Sequence, residues 1–149
     1  MERFKKYYEI YYDDALKEIK NGHKVSHWMW YIFPQIDGLG KTKTSKRFAI
    51  KNEEEAKEFL EDDYLREHIS NLCVELIKLD KESPREIFSY IDALKLRSSM
   101  TLFDYTAKKN NIDTDIFYMV LDKYYGGIYD ELTIQILDEM KNKEYYLKY

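Results

Sequence analysis

Only five glycines and two prolines punctuate 149 residues, so there are few places at which a helix in this chain must stop. Between those breaks apolar residues return every three or four positions. Phe4, Tyr8, Tyr11, Ala15 and Ile19 form one such stripe, the spacing that lines one face of a helix, and Asn21-Gly22 supplies its end. A second run opens at Asn52 with Glu55 three residues on, as in a capping box, and turns Ala56, Phe59 and Leu60 inward. Asp62-Asp63 can cap a third, which aligns Leu65, Ile69, Leu72, Cys73 and Leu76 and ends near Asp80. Ser83-Pro84-Arg85-Glu86 joins an N-cap serine, an N1 proline and an N3 glutamate and introduces Ile87 and Phe88. A fifth helix starts at Asp92 and aligns Ala93, Leu96, Met100, Phe103 and Ala107 before Asn110-Asn111. A sixth runs from about Thr114 through Ile116, Phe117, Val120, Leu121 and Tyr124 to Gly126-Gly127. The last opens at Asp130 and turns Thr133, Ile136, Leu137 and Met140 inward.

These stripes predict an all-α fold, a compact bundle of six to seven helices with little or no sheet. One domain is expected over residues 1–149, with residues 141–149 a Lys/Tyr-rich tail that can fray. Only Arg47-Phe48-Ala49-Ile50 resembles a strand, and nothing obvious pairs with it. A chain this long buries roughly two-thirds of its unfolded surface, so no disulfide is required. The lone Cys73 reads as a small buried hydrophobe and cannot form an internal bridge, which points to a reducing cytoplasm. The N-terminus lacks the apolar run of a signal peptide, and no stretch approaches the roughly 18 apolar residues of a membrane span. A soluble cytoplasmic protein is expected. Net charge of −4 with 35% charged residues argues against general nucleic-acid binding, which shows a basic excess or stripe.

Three segments break local rules without an evident folding gain, and such conflicts gather at functional or strained sites. The first, residues 26–40, holds both tryptophans, His27, Gln35 and a Gly38-Leu39-Gly40 turn. It reads as a rigid aromatic wall beside polar groups. The basic run that follows, residues 41–47, is either a solvated loop or a contact for phosphate or carboxylate. The second segment, residues 92–103, puts Ser98, Ser99 and Thr101 inside a helix although hydroxyl residues are mediocre helix formers. Lys95, Ser98, Ser99 and Leu102 share one face there, while Arg97 and Thr101 lie together at i, i+4. Either flank offers a cation and hydroxyl donors to an anion. The alternative is that Arg97 pairs with an acid such as Asp104 and the serines permit close packing. The third segment, residues 121–127, carries Asp122 and the Tyr124-Tyr125-Gly126-Gly127 break.

Most of the fifteen tyrosines fall beside apolar helix positions, where the ring packs and the hydroxyl reaches water. Tyr124, Tyr125 and Tyr129 are the candidates for ligand contact. His27 suits proton transfer near neutral pH, or equally a cap on a helix start. No second histidine or cysteine stands at metal-ligand spacing, so zinc is not expected. No phosphate loop, dinucleotide fingerprint or nucleophile elbow is present, and no cofactor is implied.

Lys24, residues 26–30, 32–36 and 38–40, Arg47-Phe48-Ala49-Ile50, residues 94–103, Leu121-Asp122 and residues 124–127 together resemble the domain-of-unknown-function 1810 family. The likeness runs in order along almost the whole chain. It implies a mainly α-helical single-domain fold, in agreement with the stripes, and carries over no activity.

Two functions from different classes follow from the residues. In one, the three segments converge on a cleft for an anionic small molecule such as a nucleotide or an ADP-ribose-like compound. Trp28, Trp30, Gln35, Lys95, Arg97, Ser98, Ser99 and Thr101 would hold it, and His27 or Asp122 would provide hydrolytic acid/base chemistry. In the other, the domain is non-catalytic and the aromatic segment is core plus a protein-contact patch, its partner unspecified.

Overall fold

The apolar stripes become helices in the computed structural model, which describes residues 1–148. Among the described residues there are eight helices: α1 Glu2–Lys20, α2 Met29–Ile32, α3 Lys43–Phe48, α4 Glu53–Glu61, α5 Asp63–Lys78, α6 Tyr90–Lys109, α7 Ile116–Tyr125 and α8 Glu131–Lys148. A 3-10 turn, Pro84–Glu86, precedes α6. Of the tail expected at residues 141–149, Tyr149 and the side chains of residues 145, 146 and 148 lie outside what is described.

The all-α class holds, with more helices than the six to seven expected. The additional ones are short. α2 is a single turn, too brief for a periodic stripe, and α3 arises where the basic run looked like a loop. Thr42 caps α3, its Oγ1 accepting from Ser45 N at 3.1 Å. Arg47 and Phe48 therefore belong to a helix, and of the strand-like tetrapeptide only Ile50 pairs. It forms an isolated parallel bridge with Ile36, in which Ile50 N donates to Gln35 O and Asp37 N to Ile50 O, both at 2.8 Å. This bridge ties the end of the aromatic segment to the loop before α4. Conversely, the strong helix start at Ser83 yields only the 3-10 turn. Ser89 then opens a new helix, accepting from Asp92 N at 3.1 Å, so α6 begins at Tyr90 rather than at Asp92.

α6 is the central rod. α4, α7, α8 and the 3-10 turn pack on it, while α1 packs on α5 and α2, and α5 on α7. Eleven of its twenty residues are buried, Ser99, Thr101, Asp104 and Thr106 among them, so it has no single solvent face. That position accounts for its hydroxyl residues. Ser98, Thr101 and Thr106 each donate to the carbonyl four residues back, at 3.2, 2.8 and 2.7 Å. Small side chains that satisfy their own oxygen in this way let other elements approach closely on every side. Around the rod, Phe59 sits 5.4 Å from Phe4 and 4.8 Å from Phe103 between ring centroids, and Phe103 lies 5.6 Å from Phe117. Cys73 is buried, as expected of a small hydrophobe. No helix among the described residues is long and apolar enough to cross a membrane.

Candidate functional site

The aromatic segment is held by a carboxylate in the last turn of α1. Glu18 Oε1 accepts from Val25 N at 2.6 Å, Ser26 N at 2.8 Å and Trp28 Nε1 at 3.0 Å, and Oε2 accepts from Ser26 Oγ. Burial works to raise the pKa of this carboxyl, but hydrogen bonds from Ser26, Val25 and Trp28 outweigh it and hold the value at about 2. Further along, Tyr8 of α1 donates to Ile32 O at 2.6 Å. The segment meets α6 through two stacked lysines. Lys24 Nζ lies 5.2 Å over the Trp28 ring and Lys95 Nζ 4.1 Å over Trp30. One acid, Asp92, stands between them, 2.9 Å from Lys24 and 3.7 Å from Lys95. Gly40 completes the fold-back. A side chain there would clash with Ser45 and come within 3.5 Å of the Trp30 ring, so α3 and Trp30 can close together only over glycine.

Two recesses share Trp30 and Lys95. The larger, of about 310 Å³, is also lined by Gln35, Arg97, Ser98 and Asp130 and has the half-exposed apolar residues Ile91, Leu94 and Leu132 in its wall. The smaller, of about 110 Å³, is formed by Lys24, His27, Trp28, Tyr31 and Asp92. Trp30, Gln35, Lys95, Arg97 and Ser98 thus gather in one place, with His27 and Trp28 next door.

The remaining expected residues do not join them. Ser99 and Thr101 are fully buried inside α6, and Thr101 Oγ1 accepts from Asp130 N at 2.9 Å. Asp122 is exposed on α7 and lines neither recess. Trp28, 1% exposed, is a core residue. Arg97 is a brace rather than a partner of Asp104. Its Nε donates to Ile128 O and its Nη2 to Tyr129 O, both at 3.0 Å, whereas Asp104 accepts from Lys108 at 2.6 Å and from Tyr129. The tyrosines singled out near the glycine pair are structural as well. Tyr124 donates to Leu76 O and Tyr125 to Ala93 O. Burial pushes Tyr124 up to about 12 and raises Tyr125 and Tyr129 further, with the hydrogen bond to Asp104 adding to Tyr129. Gly126, at φ 63°, ends α7 in the left-handed conformation open to glycine.

Glu18 was not singled out from the sequence, and Asp130 was taken only as the opening of the last helix. Asp130 Oδ2 accepts from Ser98 Oγ at 3.0 Å, from Thr133 N at 3.2 Å and from Thr133 Oγ1, joining α6 to the start of α8. Its N-cap position before Glu131 was a usable signal. Glu18 lies on a partly exposed helix face, and nothing local distinguishes it from the other acids there.

A family model described as protein of unknown function, DUF1810, matches residues 1–137. The chain belongs to the DUF1810 family. The match takes in both recesses and every residue of the site named above, from Tyr8 to Thr133. This DUF1810 chain is also similar to the crystal structure of the conserved hypothetical protein Rv1873 from Mycobacterium tuberculosis. The TM-score is 0.84 at 36% identity, covering 92% of this chain and 95% of that one. No curated protein matches this DUF1810 chain.

Proposed function

We propose that the larger recess binds an anionic small molecule of the nucleotide or ADP-ribose-like class. One observation carries the proposal: Gln35, 5% exposed, lines that recess, and its buried amide Nε2 has no hydrogen-bond partner. An unmade hydrogen bond of this kind costs about 1–3 kcal/mol; Ser99 Oγ and Asp104 Oδ1 are unpaired too, but neither residue lines the recess, so among the described residues at Gln35 alone could a ligand there supply the missing partner. Lys95 supports the same reading. Its ammonium is held by the Trp30 ring and a long 3.7 Å pairing with Asp92, while Asp92 makes its short ion pair with Lys24. The larger recess therefore combines a cation, an unused donor and an aromatic wall. The reading is one of binding. His27 stands in the neighbouring recess and Asp122 in neither, so no acid/base step is assigned to them.

The two tryptophans give a direct test by nuclear magnetic resonance. Adding AMP or ADP-ribose should move the Trp30 indole and Gln35 side-chain amide signals, whereas the Trp28 indole, bound to Glu18, stays in place. Unmoved Trp30 and Gln35 signals at millimolar concentrations of both compounds would reject the proposal.

A further inference from the structure

We infer that the larger recess is built for a ligand with one anionic group, an apolar body and a neutral hydrogen-bond acceptor, the acceptor being read by Gln35. This inference rests on the proposed function and narrows it. Size is the first argument. A recess of about 310 Å³ lies at the small end of the roughly 300–1,000 Å³ that ligand pockets span. It suits a single ring with a short charged arm better than a dinucleotide. Charge is the second. Two cations and one acid, Lys95, Arg97 and Asp130, line the recess, and Arg97 commits two N–H groups to the carbonyls of Ile128 and Tyr129. The less committed cation, Lys95, offers a place for one anionic group, carboxylate or phosphate, whereas a diphosphate would set its second phosphate against Asp130.

The third argument concerns the wall. Ile91, Leu94 and Leu132 line the recess while 62%, 47% and 49% exposed. Apolar surface gathered beside a cation is surface that an apolar ligand body would cover. Gln35 then decides which body. Its Nε2 can only donate, so a ligand group that pairs with it accepts, as a carbonyl oxygen or a ring nitrogen does. An apolar ring without an acceptor would leave that nitrogen as it is, buried and unpaired.

Isothermal titration calorimetry on wild type and Gln35→Leu, with UMP, orotate, benzoate and ADP-ribose, tests this. UMP and orotate both present ring carbonyls, one with a phosphate and one with a carboxylate, so their ranking tells which anion Lys95 prefers. Benzoate has the anion and the ring without a separate acceptor. UMP or orotate should bind wild type, and ADP-ribose no tighter than they do. Gln35→Leu should weaken UMP and orotate by about tenfold or more, the value of a lost buried hydrogen bond, and leave benzoate unchanged. The same substitution removes an unpaired donor from the protein interior and should raise Tm by roughly 2–6 °C. Gln35→Met, which is unbranched, repeats the test should leucine disturb the fold. Unchanged UMP and orotate affinity in these variants would overturn the role of Gln35 while leaving the anion site standing. ADP-ribose binding about tenfold tighter than UMP would overturn the single-anion inference. Absence of binding by all four compounds to folded wild type would overturn the anion site and the inference with it.

Discussion

Trp28→Ala should lower the unfolding free energy by about 3–5 kcal/mol, the range for removing a buried aromatic from a core. In a domain of this length that is a fall in Tm of roughly 10–15 °C. Trp28 is 1% exposed and packs between Phe33 and Phe88, with ring centroids 6.1 and 6.3 Å away. The Lys24 ammonium lies over its ring and its Nε1 donates to Glu18. Alanine would leave a cavity and remove a donor from Glu18 at once. Trp28→Phe separates the two effects, since it keeps most of the volume and loses the hydrogen bond, and should cost about 1–2 kcal/mol. Denaturant unfolding followed by circular dichroism measures both. A loss below about 1 kcal/mol for Trp28→Ala would place this ring outside the core and return it to the role of a cleft wall.

The second large effect depends on pH. Glu18 has a folded-state pKa of about 2 against an ordinary 4.5, so its carboxylate stabilises the fold fully at neutral pH. That contribution fades as the pH falls from about 5 toward 2. A shift of this size corresponds to about 3 kcal/mol in a dry site and about 1–2 kcal/mol once the partly exposed flank of Glu18 is screened by solvent. Glu18→Gln should therefore be less stable than wild type by about 1–2 kcal/mol at pH 7, and the gap should close toward pH 2. Glu55 and Asp62 also titrate below the usual range. Burial opposes the shift in both, and Arg3 outweighs it for Glu55 and Lys5 for Asp62. They steepen the acid limb of both proteins alike, so the difference between wild type and variant isolates Glu18. A gap that stays constant from pH 7 to pH 2 would show that the Glu18 charge does not hold the aromatic segment.

Helices with a long apolar stripe were legible because their periodicity survives in tertiary context, as in α1, α4, α5 and α7. α2 and α3 were not, since four and six residues are too few to show a 3.6-residue period. α6 misled in an instructive way. Its serines and threonine were read as ligand donors because hydroxyls suit helices poorly, yet a helix surrounded by other elements needs small residues that satisfy themselves. Thr101 is explained by that position, Ser99 only by its small size, since its buried Oγ has no hydrogen-bond partner, and only Ser98 reaches the recess. Gln35, Trp30 and Lys95 were legible only among eight candidate ligand residues, drawn from segments that break local rules. Their distribution between two recesses depends on the Ile36–Ile50 bridge and the Glu18 contacts, which join residues distant in sequence and leave no local pattern. Asp122 looked chemical for want of any visible structural duty, and its exposed place on α7 gives it no neighbour in either recess.

The most direct measurement is thermal unfolding of wild type and Lys95→Gln against nucleotides, ADP-ribose, sugar phosphates and free phosphate. Gln keeps most of the Lys95 stem, and Asp92 retains its 2.9 Å ion pair with Lys24 when the 3.7 Å pairing with Lys95 is lost, so the variant should fold. A ligand at a hundred times its Kd stabilises by about 2.7 kcal/mol, roughly 5–10 °C here. The anion-binding account predicts such a shift in wild type for at least one compound and its loss in Lys95→Gln. A flat panel with both proteins folded, or equal shifts in the two, would contradict it. The flat panel would leave the apolar wall of Ile91, Leu94 and Leu132 to be explained as a surface for a protein partner.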